Sequence, residues 1–154
     1  MNKKFFVFSL FLAVAVGLVS CGSEKKVEVK VVEETVVEDT IPYRVLENYT
    51  LKKGVKEILT PMITTTKTFE NYFKAEKNAT KIDFSQDFVI AVALPSTDLS
   101  TIVAPYELAY KDTDRLLFTY TVERGTEKVA SYRPLLLIAV PYSFKAYVEV
   151  KEIK

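Results

Sequence analysis

Phe88-Val89-Ile90-Ala91-Val92-Ala93-Leu94 is an unbroken apolar run, FVIAVAL, bounded by polar residues upstream and Pro95 downstream. A strand with one wet face alternates apolar with polar side chains. A short run without alternation, rich in β-branched residues, predicts a central strand covered on both faces. Leu135–Val140, LLLIAV, reads the same way.

Between these two runs lie Tyr106–Tyr110, YELAY, and Leu116–Val122, LLFTYTV, joined by Lys111-Asp112-Thr113-Asp114. Two alternating stretches about a polar turn predict an antiparallel hairpin. In its second arm Leu116, Phe118, Tyr120 and Val122 face one way, against Leu117, Thr119 and Thr121. Ala146–Val150, AYVEV, is a last strand. Upstream, Ile41–Leu51 alternates loosely and is expected as one strand entering the domain. Thr64-Thr65-Thr66 precedes KTFENYFKAEK, where Phe69, Tyr72, Phe73 and Glu76 follow helical spacing. A short helix over 67–77 is expected, capped by a threonine. Runs of strands with a single helix predict an α+β fold: a mainly antiparallel β-sheet or sandwich with one short helix packed on it. Residues 41–154 have the length of one domain.

The N-terminal residues belong to a different class. Lys3 and Lys4 precede an apolar run, Phe5–Val19, whose end forms the tetrad Leu18-Val19-Ser20-Cys21. A basic start and a short apolar core have the layout of a secretory signal, and the run is shorter than the roughly 20 residues that span a bilayer. Leu-Val-Ser-Cys resembles the lipobox of bacterial lipoproteins. The resemblance implies a signal peptide over 1–20 and acylation of Cys21, the only cysteine, which more than one acyl chain would hold firmly on a membrane. Without residues 1–20, which hold two lysines and no acid, 19 basic residues face 20 acidic ones. A near-neutral chain argues against nucleic acid as a partner. Residues 21–40 are rich in valine and charge and contain no aromatic residue. They read as a lipidated tether with a reach of roughly 60 Å at about 3.3 Å per residue. Val27-Glu28-Val29-Lys30-Val31 also suits an edge strand.

The chain has no histidine, which removes the usual base for a serine or cysteine nucleophile and the commonest zinc ligand. Ser23-Glu24-Lys25-Lys26 has S-x-x-K spacing but lies in the tether. Asp83 and Asp87 flank a turn, as do Asp112 and Asp114. Both pairs suit turn capping better than acid–base or metal chemistry, since calcium takes six to eight oxygens. Only Gly54 and Gly125 lie beyond the tether, so no phosphate loop is present. Neither a cofactor nor a metal is expected, and the chain reads as a non-enzyme.

Ser131–Phe144, SYRPLLLIAVPYSF, brackets an apolar strand with Pro134 and Pro141. Tyr132, Arg133 and Tyr142 stand near its ends, and Tyr and Arg are the residue types enriched at binding hot spots. Tyr142 and Phe144 equally suit a cover for the core. At the tether's end, Asp39-Thr40-Ile41 resembles the Asp-Thr-aliphatic acceptor of a bacterial periplasmic O-glycosylation system, making Thr40 a glycosylation candidate.

Lys81–Pro95, KIDFSQDFVIAVALP, followed by a hairpin and YRPLLLIAVPYSF, resembles the C-terminal domain of the PrcB-type protease-complex subunit. Ile82, Asp83, Phe84 and Ser85 match its turn into a hydrophobic strand, and Pro134 and Pro141 its late proline-flanked strand. The resemblance runs from about Thr66 to Glu149. It departs at Ser96–Glu107, where family members carry a glycine-rich stretch and this chain has none. It implies a non-catalytic extracytoplasmic lipoprotein that associates with or restrains a protease, and it brings no catalytic residues. The expected function is a membrane-anchored protein-binding module on the outer membrane, facing the periplasm with the cell surface as the alternative, and with an envelope protein as partner. The alternatives are a small-ligand-binding or envelope-structural lipoprotein and a hydrolase built on carboxylates.

Overall fold

The structure is a computed structural model that describes residues 40–154. The signal segment, Cys21 and the tether up to Asp39 lie outside the described residues. The elements are β1 (Arg44–Val45), β2 (Tyr49–Leu51), β3 (Met62–Ile63), α1 (Thr66–Tyr72), β4 (Phe73–Ala75), β5 (Asp87–Ala93), β6 (Thr97–Asp112), β7 (Arg115–Tyr132), β8 (Leu135–Pro141), a 3-10 turn (Tyr142–Phe144) and β9 (Tyr147–Ile153).

One long ribbon organises them. β5 pairs antiparallel with β8 from Asp87 opposite Pro141 to Ala93 opposite Leu135. The same two chain segments continue as β6 and β7, paired from Thr97 opposite Tyr132 to Asp112 opposite Arg115. The far half of this hairpin packs over the near half. Leu108, Leu116 and Phe118 share a core with Phe88, Ile90, Val92, Leu136, Ile138 and Val140. The alternate residues of the near half, Val89, Ala91, Leu137 and Ala139, pack the other way, against Leu46, Ile63, Phe69 and Phe73. This is why FVIAVAL and LLLIAV have no polar face. Burying each large side chain contributes about 1.5–3 kcal/mol before the entropy of ordering it.

The near half is the centre of a four-stranded sheet, β1-β8-β5-β3, and the far half forms a three-stranded sheet, β6-β7-β9. A two-stranded ribbon, β2-β4, stands apart from both sheets. The fold is thus mostly antiparallel β with a single short helix, as expected. Where the ribbon changes sheets its register slips, with Thr97 opposite Tyr132 but Leu99 opposite Glu127. The extra chain, Lys128-Val129-Ala130-Ser131, bulges outward and is exposed. Bulges of this kind bend a ribbon and raise its twist, which suits a corner.

Two local expectations need correction. The helix ends at Tyr72 rather than Lys77. Phe73 is already extended, and Phe73–Ala75 pairs with β2, so sheet pairing and burial of Phe73 win over helical spacing. The helix does begin on a threonine cap, the Thr65 hydroxyl accepting from Thr68 N–H at 3.2 Å. Ile41–Leu51 is not one strand but β1 and β2, in different sheets. The break is at Asn48, whose φ of 63° lies in the left-handed region that Asn tolerates. β9, whose direction is not predicted by its alternation, runs parallel to β7, from Tyr147 opposite Arg115 to Ile153 opposite Thr121.

Candidate functional site

Tyr132 and Arg133 lie at one end of β8 and Tyr142 at the other, so the structure brings the first two together and leaves the third a strand's length away. Each spends its polar group inside the molecule. The Tyr132 hydroxyl accepts from Thr101 N–H at 2.6 Å and donates to Thr101 C=O at 3.1 Å. Lys128 Nζ sits 4.3 Å from the ring centroid. Burial tends to raise the phenol's pKa, but the hydrogen bonds to Thr101 and the Lys128 charge together bring it below the usual tyrosine value. Arg133 Nε donates to Leu94 C=O at 3.1 Å and its Nη1 to Val55 C=O at 2.7 Å. The Tyr142 hydroxyl donates to Thr64 C=O at 2.8 Å, and its ring packs 5.9 Å from that of Phe88. All three are only partly buried, so ring and stem surface remains for a partner while the polar tips are engaged.

Thr40, the other described candidate, is exposed and pairs with Ala109 on β6, next to Ile41, whose side chain is buried. Cys21 and Ser23-Glu24-Lys25-Lys26 lie outside the described residues.

One carboxylate of each pair serves its turn. Asp83 accepts at Oδ1 from the Ser85 hydroxyl at 2.6 Å and from Ser85 N–H at 2.9 Å. These bonds hold its pKa below the usual carboxylate value. Asp87 instead pairs with Arg44 at 2.6 Å. In the hairpin turn, Asp112 accepts from Arg115 Nε at 2.7 Å, which lowers its pKa, and receives a longer bond from Asp114 N–H. Among the described residues no three acidic side chains converge as a metal-binding group would require.

Two surface features were not foreseen. The first is an open cleft of about 940 Å³ lined by Lys56, Glu57 and Ile58 of the loop before β3, by Ala91–Ala93 of β5, by Tyr120, and by Tyr147–Val150 of β9. Arg133 forms part of its wall. The cleft depends on how a loop lies against the ends of strands distant in sequence, and periodicity carries no signal for that. The second is a line of exposed apolar residues on β6, with Ile102 61% and Tyr106 64% exposed. Ser96–Glu107 did carry a signal for this, since its apolar residues break the alternation of a half-buried strand.

Among the described residues no helix is long and apolar enough to cross a membrane. No family model, curated protein or solved structure matches this chain.

Proposed function

We propose that the chain is a lipoprotein anchored through Cys21 to the outer membrane, with a domain that acts as a non-catalytic protein-binding module in the periplasm. The observation that carries the binding reading is the exposure of Ile102 and Tyr106 on β6. Large apolar side chains held out on a rigid strand are anchors for a partner, and a few such anchors supply most of the energy of an interface. That exposure favours β6 as the main contact over Tyr132, Arg133 and Tyr142, whose polar groups are engaged internally. The partner is an envelope protein, and the PrcB-type resemblance favours a protease.

The test is capture from native envelope by the mature lipidated chain, followed by titration of the retained protein against variants. Ile102→Asp and Tyr106→Ala are expected to weaken binding by at least about 30-fold, as removal of a hot spot does. Capture that neither variant alters would reject this surface. Saturable hydrolysis of a peptide or glycan by the purified chain would overturn the non-enzyme reading. Cys21→Ser should release the chain from the membrane fraction, and its retention after a carbonate wash would reject the anchor.

The cleft between the sheets favours a second reading, a small-ligand carrier, because sites for small molecules are concave. Native mass spectrometry of the chain purified from its own envelope separates the two: a stoichiometric small-molecule adduct would favour the carrier.

A further inference from the structure

The edges of the two sheets are treated very differently. An uncovered edge strand is a template for another chain, and proteins blunt such edges with short strands, bulges, proline or covering segments. In the four-stranded sheet the edges are β1 and β3, each of two residues. In the three-stranded sheet the β6 edge is interrupted along its length. Ile41 N–H donates to Leu108 C=O, Pro105 has no N–H, a register shift lies between Pro105 and Glu107, and Tyr132 takes both main-chain groups of Thr101. The other edge, β9, is seven residues long with unbroken register, contains no proline and no bulge, and has no further strand beside it among the described residues.

The direction of its free groups follows from one bond. Tyr147 N–H donates to Asp114 C=O at 2.9 Å, so Tyr147 turns its main chain toward β7. Main-chain direction alternates along a strand. Glu149, Lys151 and Ile153 therefore also face β7, while Val148, Val150 and Glu152 turn N–H and C=O to the open edge.

We propose that two copies of this chain pair edge to edge through β9, antiparallel about Val150, joining their three-stranded sheets into one. In a two-fold antiparallel pairing edge-facing residues must oppose edge-facing residues, so the axis passes through a residue. With the axis on Glu149 or on Lys151, like charges meet across it. With the axis on Val150, each Glu149 lies opposite Lys151 of the other copy and each Tyr147 opposite Ile153. Val150 meets its own counterpart, and Val148 lies opposite Glu152. The Glu–Lys and Tyr–Ile pairs fall at the positions without main-chain bonds, where opposed side chains come closest. Tyr147 is 70% exposed, and this register gives it an apolar neighbour. Glu149 already holds Lys111 at 2.6 Å, so the second copy's lysine joins an existing ion pair. The register complements itself in charge and in apolar contact, which an isologous two-fold interface requires. The rival occupant is this chain's own Val27-Glu28-Val29-Lys30, which repeats the sequence of Val148-Glu149-Val150-Lys151.

Sedimentation of the mature lipidated chain in detergent micelles, over a range of protein-to-detergent ratios, tests the pairing. The wild type is expected to sediment as a dimer at micromolar concentrations. Glu149→Lys and Lys151→Glu each place like charges across the axis, so each alone is expected to be a monomer. Mixed, the two variants complement each other and should recover the dimer. Val150→Pro removes an edge-facing N–H without touching the β7 ladder, and it too should be monomeric, with circular dichroism verifying that each variant is folded. A wild-type monomer throughout overturns the proposal, as does a dimer that folded Lys151→Glu and Val150→Pro leave intact. Hydrogen exchange addresses the rival: protection of the Val148, Val150 and Glu152 amides should rise with protein concentration, and protection independent of concentration would place a segment of the same chain on the edge.

Discussion

The hydroxyl of Tyr132 satisfies both main-chain groups of Thr101, accepting from its N–H at 2.6 Å and donating to its C=O at 3.1 Å. This contact lies where the ribbon bulges at Lys128–Ser131 and the β6–β7 ladder loses register. A side chain thus supplies hydrogen bonds that irregular pairing would otherwise leave to water. Tyr132→Phe removes the hydroxyl and little else. The expected result is a modest loss of stability, because the main-chain groups of Thr101 lose their partner at a corner that water also reaches. Urea unfolding should show a lower midpoint with an unchanged slope. An unchanged midpoint would mean that solvent replaces the phenol at no cost.

Arg133 ties the same corner to the loop before β3, with Nε on Leu94 C=O and Nη1 on Val55 C=O. The two carbonyls are held by donors on separate, rigidly spaced nitrogens, which the single ammonium nitrogen of lysine does not supply, so lysine is not a conservative replacement. Arg133→Lys is expected to loosen the loop more than the sandwich, because the loop has few other ties and local opening needs less free energy than global unfolding. Limited trypsin digestion should cut faster after Lys52, Lys53 and Lys56, while the thermal midpoint moves little. Equal cleavage rates in the two proteins would show that the loop does not depend on this clasp.

The strands of the centre were legible because burial on both faces leaves a plain mark: seven apolar residues in a row from Phe88, and six from Leu135. The hairpin turn was legible because Asp112 and Asp114 supply its local bonds. The helix end was not, since Tyr72, Phe73 and Glu76 keep helical spacing and only the long-range pairing of Phe73 with Leu51 ends it. The parallel placement of β9 was hidden for the same reason, as VEVK alternates identically in either direction. Tyr132, Arg133 and Tyr142 are visible in the sequence only as polar aromatic and cationic residues flanking a buried strand. Their internal partners Thr101, Val55 and Thr64 are distant in sequence and leave no trace in it.

Stability should fall in acid for reasons that can be assigned to residues. Ser85 holds the Asp83 carboxyl below the usual range, Arg115 does so for Asp112, and Lys111 for Glu149. A carboxyl with a depressed folded pKa contributes stability above its unfolded value and loses it as pH falls through the folded value. Melting temperatures should therefore decline as pH drops below the ordinary carboxylate range of about 4, and level off once the depressed values are passed. Asp83 is exposed and Asp112 and Glu149 are only partly buried, so the effect is modest and the two ion-paired contributions shrink in high salt. Glu149→Gln should flatten part of the decline. A profile identical to wild type would remove the Lys111 pair from the account.

Phe69 is the one buried residue of α1, and its ring meets those of Phe73 at 4.7 Å, Tyr49 at 5.1 Å and Phe84 at 5.6 Å. A helix of seven residues has too few internal bonds to persist without such packing. Phe69→Ala is expected to cost about 3–5 kcal/mol, as large core truncations do. The loss should be uneven. α1 and the β2–β4 ribbon share the core on one face of the central sheet, whereas Phe118 belongs to the core on the other face. Hydrogen exchange on Phe69→Ala should show early loss of protection at Lys52 N–H, bonded to Tyr72 C=O, and at Glu76 N–H, bonded to Asn48 C=O. The amides shared by β5 and β8 should hold longer. Phe118→Ala should invert that order, exposing β6, β7 and β9 first. Uniform loss in both variants would show instead that the two cores unfold as one cooperative unit, with the central sheet transmitting the damage between its faces.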